Sequence, residues 1–332
     1  MCKRVLPLLM FLITLTSQAN TRILSVDSTY QSSDSCIVFV TTRTVNKENG
    51  EYVFGNTVAK DNLLRFYNLY FKGGETKLAP RNSLAEAINN ANVSPDFVVY
   101  TEGHGKLFSD NIERSIQTCR IYSVSVIMFD WPSKIPGYKV EKNFYTTMNN
   151  SRSVAKQFNE LLLLLGKYKN NTDQQKIKHL SLFFHSMGNY VMLNTLKKYG
   201  SKNYYATLVD NIILNAPCVP SREHNKWFEQ LTFQRNIYVL YNKKDPALRG
   251  AAFLMGKFLL GSRPKHLARN ANYFDLKKVA QINHNCFLRQ SLLISHPEVH
   301  EIYNDLFHSR SLNVHDVCIE SVGGANNNFC VF

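Results

Sequence analysis

The 332-residue sequence predicts an α/β architecture with a mainly parallel central sheet and helices on both faces. Three observations carry this. Short apolar runs rich in β-branched residues alternate with amphipathic stretches of helical period, the signature of repeated βαβ units. There is no internal repeat and no long linker that would divide the chain. Hydrophobic residues make up 44% of the sequence, enough for a sizeable core.

The elements follow in order. Cys36–Thr42 reads as a strand, Asn46–Gly50 as a turn cluster, and Glu51–Gly55 as the start of a returning strand. Asp61–Phe71 fits strand or helix. Asp96–Thr101 reads as a buried strand that ends in Glu102-Gly103-His104-Gly105, and a helix over Ser109–Thr118 follows, capped by Ser109 or Asp110. Ser123–Phe129 is an apolar strand stopped at Trp131-Pro132-Ser133, because proline cannot continue a ladder. Tyr145–Leu165 reads as one long helix with Val154, Phe158, Leu161 and Leu165 on one face, ended by Gly166. His179–Phe184 is a strand leading into Ser186, and Asn189–Tyr199 is the next helix, closed by Gly200. Strands are predicted at Asn211–Leu214, Asn236–Tyr241 and Ala271–Val279, with a closing helix at Pro297–Phe307.

The N-terminus reads as a targeting signal over residues 1–19. Lys3 and Arg4 form a basic start, Val5–Thr16 is apolar but short for a bilayer span, and Ser17-Gln18-Ala19 places small residues at a cleavage site. Residues 20–310 then form one domain and 311–332 a polar tail, and the chain is expected to be exported, periplasmic or secreted. Without Cys2, the cysteines are Cys36, Cys119, Cys218, Cys286, Cys318 and Cys330, an even set that permits disulfides. Cys318 and Cys330 flank the Gly/Asn-rich tail and are the favoured pair; buried free thiols fit the others equally well. No CxxC pair or His/Cys cluster suggests a metal. The formal net charge of +14 favours anionic surfaces and is compatible with peripheral contact at an anionic membrane. The basic residues are spread along the chain without a tract of interleaved aromatics, which argues against a nucleic-acid role.

The chemistry concentrates at Phe184-His185-Ser186-Met187-Gly188-Asn189. A strand, a serine and a helix with glycine two residues on form the pattern of a nucleophile elbow, where a crowded turn needs small neighbours. Phe184 departs from that pattern, because a small residue is expected two positions before the serine. A serine nucleophile needs a base, and the base needs an orienting acid. In this arrangement the chain order is serine, acid, histidine, each after a strand. Asp245 follows the strand Asn236–Tyr241, and His284 follows the last predicted strand. Asp245 would equally serve as a turn residue before Pro246. Asp275, His296, His300 and His308 are the rivals, placed within the last strand or the final helix and its flanks. The oxyanion hole is expected from the N–H of Met187 and from the loop at His104 and Gly105. Together these define an α/β-hydrolase fold with Ser186, Asp245 and His284 as the triad, and with no cofactor.

The motifs resemble a bacterial α/β-hydrolase family of unassigned function. Phe129-Asp130-Trp131-Pro132-Ser133 is similar to its F-x-W-P-S strand end, and His185-Ser186-Met187-Gly188-Asn189 to its H-S-M-G-N elbow. Val38–Arg43, His104-Gly105, Asp245–Leu248 and His284–Phe287 resemble its opening strand, oxyanion loop, acid segment and histidine segment. The resemblance runs from about Val38 to Phe307 and implies the fold and the triad, with no established substrate.

The reading is therefore an exported serine hydrolase that cleaves a small-molecule or lipid ester through an acyl-enzyme. Two alternatives stay open: an acyltransferase with the same triad, and a binding protein on a decayed hydrolase scaffold, for which Phe184 is the main support. Ala251–Leu260, apolar with one lysine, reads as a core helix or as a cover over an acyl site.

Overall fold

The structure is a computed structural model, which describes residues 35–48, 51–72, 75–92, 94–171, 176–310, 312 and 320–321. The signal segment 1–19, Cys318 and Cys330 lie outside these residues.

The described residues begin with strand β1 (Ser35–Thr41), a hairpin of β2 (Arg43–Glu48) and β3 (Glu51–Val58), and strands β4 (Arg65–Lys72) and β5 (Glu75–Arg81). Helix α1 (Leu84–Asn89) leads to β6 (Asp96–Thr101), α2 (Phe108–Tyr122) and β7 (Ser125–Asp130). Then come α3 (Val140–Ser153), α4 (Ala155–Asn170), β8 (His179–His185), α5 (Asn189–Tyr199) and β9 (Val209–Asn215). The last part holds α6 (His224–Phe228), β10 (Gln234–Tyr241), α7 (Pro246–Met255), β11 (Asn272–Asp275), α8 (Gln290–Ser295), α9 (Pro297–Phe307) and β12 (Glu320–Ser321).

Ten strands form one sheet in the order β12-β11-β10-β9-β8-β6-β7-β1-β4-β5. The run from β11 through β1 is parallel, and β4, β5 and β12 pair antiparallel at the edges. This is the predicted α/β-hydrolase architecture. Side chains alternate between two cores, as the two-residue period of a strand requires. Val99, Leu182 and Phe184 face one core with α1, α3, α4 and α5, while Val98, Tyr100 and Phe183 face the other with α2 and α9. Because the strands are parallel, every β-to-α loop from β6 to β10 opens at the same edge of the sheet, where such folds place their ligands.

Several elements differ from the sequence expectation. The single helix ending at Gly166 is two helices, α3 and α4, interrupted only at Val154. The backbone ladder runs through that residue, with Val154 N–H donating to Asn150 O at 3.0 Å and Phe158 N–H to Val154 O at 3.0 Å. Gly166 is not a stop. A Cβ there would lie 2.6 Å from the Tyr205 ring, so the glycine admits that ring against the helix. The strand expected over Ala271–Val279 is confined to β11, and the chain turns away after Asp275. Strand β7 starts at Ser125 because Ser123 sits left-handed at φ 53°, ending α2. Within the expected tail, Glu320 and Ser321 pair with Asp275 and Phe274. Cys218 and Cys286 are buried free thiols, the former pushed up to about 12 by burial.

Candidate active site

Ser186 stands directly after β8 at φ 51°. A non-glycine residue in the left-handed region is held there at a cost, and such strain collects at functional turns. Ser186 is half-buried, and its Oγ makes no hydrogen bond among the described residues. Asn189 ties the turn down, its Nδ2 donating to Phe184 O at 3.1 Å and to Ser186 O at 2.9 Å. Cys218 N–H donates to Ser186 O at 3.0 Å from the far side. Phe184 is fully buried and packs edge-on against Phe158 of α4, ring centroids 5.5 Å apart. The bulky side chain therefore belongs to the core and leaves the turn itself unobstructed.

Two glycines lock the elbow against the end of β6. A Cβ on Gly188 would lie 2.4 Å from Thr101 O and 2.8 Å from Glu102 O. A Cβ on Gly103 would lie 2.7 Å from Ser186 Cβ and 3.1 Å from Met187 N. Neither position accepts a side chain without moving backbone, which is the physical reason for glycine at both.

Of the four backbone donors in the Gly103–Lys106 loop, three are occupied. Gly103 N–H donates to Glu102 Oε1 at 2.8 Å, Gly105 N–H to Ser133 O at 2.8 Å, and Lys106 N–H to Ser133 Oγ at 3.1 Å. The N–H of His104 is uncommitted among the described residues. The expectation for Gly105 as an oxyanion donor is therefore corrected: Ser133 already holds it, while His104 and Met187 remain. Met187 N–H lies in the first turn after the strand, where no intrahelical acceptor exists. The ring of His104 bonds Thr147 Oγ1 through Nδ1 at 2.9 Å and is held neutral, down to about 4, first by burial and then by Lys134 and Lys106.

The segment Phe129–Ser133 explains itself here. Asp130 is clamped by Arg43 Nε at 2.9 Å, by Thr41 Oγ1 at 2.6 Å and by Asn111 Nδ2 at 2.6 Å, all buried. Trp131 Nε1 donates to Glu102 O at 2.9 Å. Ser133 holds Gly105 and Lys106. The motif is the brace that fixes the loop facing the elbow.

Asp245 caps α7. Its Oδ1 accepts from Ala247 N–H at 2.9 Å and Leu248 N–H at 3.2 Å, and Pro246 occupies the first helical position. Its Oδ2 accepts from His284 Nδ1 at 2.5 Å, with the carboxylate fully buried. The turn role and the pairing role coexist, one on each oxygen. His284 Nε2 has no partner among the described residues. Its ring lies 4.7 Å from that of His185, the chain neighbour of Ser186, so the pair is brought beside the elbow. Ser186 Oγ and His284 Nε2 are not hydrogen-bonded to each other.

The rivals are committed elsewhere. Asp275 pairs with Lys243 at 3.2 Å and Lys277 at 3.6 Å. His296 pairs with Glu298, His300 contacts the Ile121 carbonyl, and His308 binds Asp96 at the opposite edge of the sheet.

Sequence reasoning missed a buried polar chain behind the site. Tyr303 OH donates to Asn215 Oδ1 at 2.6 Å, so the Asn215 amide donates to His185 Nδ1 at 2.9 Å. That leaves the His185 proton on Nε2, which lies 3.8 Å from Glu102 Oε1. Burial holds His185 neutral, down to about 3. Burial raises Glu102, but the charges and hydrogen bonds around it, among them the Lys106 and Arg114 cations and the Tyr100 hydroxyl, outweigh it and hold the group below its usual range. The signal was legible as an acid directly before a glycine-rich loop.

The chain belongs to the family described as "Alpha/beta hydrolase of unknown function (DUF900)", whose model matches residues 77–310. No curated protein matches the chain. Solved α/β-hydrolase-like structures align with it at low identity. Dienelactone hydrolase from Anabaena variabilis ATCC 29413 is 10% identical over 82% of this chain and 100% of its own, TM-score 0.37. A lipase-esterase related protein from Clostridium acetobutylicum ATCC 824 is 12% identical over 64% and 95%, TM-score 0.32. Esterase B from Lactobacillus rhamnosis is 11% identical over 73% and 80%, TM-score 0.39. Among the described residues, no cluster of three or more His, Cys, Asp or Glu side chains is arranged to hold a metal.

Proposed function

We propose that this α/β hydrolase is an exported serine esterase. The observation that supports it best is the Asp245–His284 pair, whose second imidazole nitrogen is uncommitted beside a strained serine turn. In this reading Ser186 Oγ attacks an acyl carbonyl while His284 Nε2 takes its proton. The step requires Oγ and Nε2 to meet, and such contacts commonly tighten only with substrate bound. Asp245 fixes the imidazole with Nδ1 protonated and stabilises the imidazolium that forms. The tetrahedral oxyanion is held by Met187 N–H and His104 N–H. His284 returns the proton to the leaving alcohol, and water, activated by the same nitrogen, releases the acid.

The binding-protein alternative loses its main support, because Phe184 is ordinary core. Hydrolysis and transfer share every residue named.

The test is covalent labelling of the purified protein with a fluorophosphonate probe, in which Oγ displaces fluoride at phosphorus. Labelling of the wild type and not of Ser186→Ala is the expected result. Equal labelling of both, or none of a folded wild type, would sink the assignment.

A further inference from the structure

Cationic residues that are scattered along the sequence meet in one groove of about 770 Å³ between α5, α6 and the segment after α7. Lys197, Arg222, Lys226, Lys257 and Lys265 line it, against a single carboxylate, Glu223. Glu223 is already paired with Lys226 at 3.2 Å. Lys197, Arg222 and Lys257 have no ion pair among the described residues. Like charges converging without counter-ions raise the local potential and call for an anion.

The groove borders an exposed apolar patch. Phe253, one turn before Gly256 on its rim, is 88% exposed, and Phe258 on the rim is 54% exposed. Tyr145, 39% exposed, extends the patch by donating its hydroxyl to Leu254 O at 2.8 Å. Arg263 and Lys265 lie 4.8 and 4.7 Å from the Phe258 ring centroid. Exposed aromatic side chains beside a cationic groove mark a surface made to be covered. A small anion filling the groove would leave Phe253 in water, since that residue is not part of the lining. A lipid surface offers apolar depth for Phe253 as well as headgroup charge for the groove.

We propose that this face docks on an anionic phospholipid bilayer. Phe253 and Phe258 enter the acyl boundary while Lys257, Lys265 and their neighbours meet the headgroups. Helix α7, which carries Phe253, is capped by Asp245 of the candidate site, so the proposed face and the site share one helix. Binding itself does not rest on the esterase reading.

The experiment is cosedimentation of the full chain with phosphatidylglycerol vesicles and with phosphatidylcholine vesicles at low salt. The apolar Val5–Thr16 stretch is common to every protein compared, so differences between variants are the readout. The wild type is expected to favour phosphatidylglycerol, with the preference fading as salt screens the charges. Lys257→Gln and Lys265→Gln should each weaken partition about fivefold, and Phe253→Ser about tenfold. Hydrolysis of a soluble short-chain ester should stay unchanged in all three, and Ser186→Ala should bind vesicles like the wild type. Variants that bind phosphatidylglycerol vesicles as well as the wild type, or displacement by a short DNA duplex at equal charge, would overturn the proposal. Loss of esterase activity in Ser186→Ala with vesicle binding intact keeps the two readings separate.

Discussion

Two histidine–aspartate pairs stand at opposite edges of the central sheet. At the C-terminal edge His284 Nδ1 meets Asp245 Oδ2 at 2.5 Å, and at the N-terminal edge His308 Nδ1 meets Asp96 Oδ2 at 2.5 Å. The histidines are similarly exposed, at 19% and 17% of their side chains. The second nitrogen separates them. His308 Nε2 is spent on the Tyr122 carbonyl at 2.9 Å, and Asp96 is shared with His179 Nδ1 at 2.7 Å. That pair clasps α9 and α2 to the sheet. His284 Nε2 is uncommitted and sits beside the elbow. A histidine–carboxylate pair becomes a general base only when its other nitrogen is left free to take a proton.

Substitution at the two histidines gives the largest contrast. His284→Gln should lower turnover of a short-chain ester by about a thousandfold or more, whereas His308→Gln should leave it within about twofold. Steady-state kinetics on the two variants checks this, and similar losses would erase the distinction. Asp245→Asn sharpens it further. Asparagine caps a helix as well as aspartate does, so α7 should survive, but the imidazole loses its orienting carboxylate, and turnover should fall by about a thousandfold or more. Retained activity in that variant would reduce Asp245 to a cap.

The clasp should show itself in stability. His308→Gln is expected to lower the unfolding free energy by about 1–2 kcal/mol, measured by urea denaturation at neutral pH. The smallest effect lies in acid. Burial raises Asp96, but hydrogen bonds from His308 and His179 outweigh it and hold the carboxyl below its usual range. Its contribution is therefore complete above the ordinary aspartate pKa of about 4. It is lost as pH falls through the lower folded value, where the folded carboxylate becomes protonated. The wild type and His308→Gln should differ in stability at pH 6 and converge in strong acid; a constant gap across that range would contradict the clasp.

Legibility varied along the chain for physical reasons. Strand β6, α5 and α9 have the boundaries expected from apolar runs and from glycine and proline punctuation. Over Glu75–Asn89 the sequence offers no clear period. The S-x-x-E spacing of a capping box is present, with Glu86 N–H donating to Ser83 Oγ at 3.1 Å and Asn82 N–H, one residue before the cap, to Glu86 Oε2 at 2.8 Å. A six-residue helix offers too few turns for its period to stand out. Gly166 mimics a helix end in the sequence, because a glycine admitting an aromatic ring looks there like one ending a helix. Ala251–Leu260 divides, with Ala251, Leu259 and Leu260 in the core and Phe253 and Phe258 in solvent. Composition alone predicts no such split.

By itself the sequence determined the parallel α/β sheet and marked Ser186, Asp245 and His284 as candidates, since both are written in local periodicity and in the positions of loops after strands. Only the tertiary structure decided which N–H groups in the Gly103–Lys106 loop are uncommitted. It also assigned Phe184 to the core and gathered Lys197, Arg222, Lys226, Lys257 and Lys265 around one groove. These depend on what stands across from each residue in space, and residues far apart in the chain supply those partners.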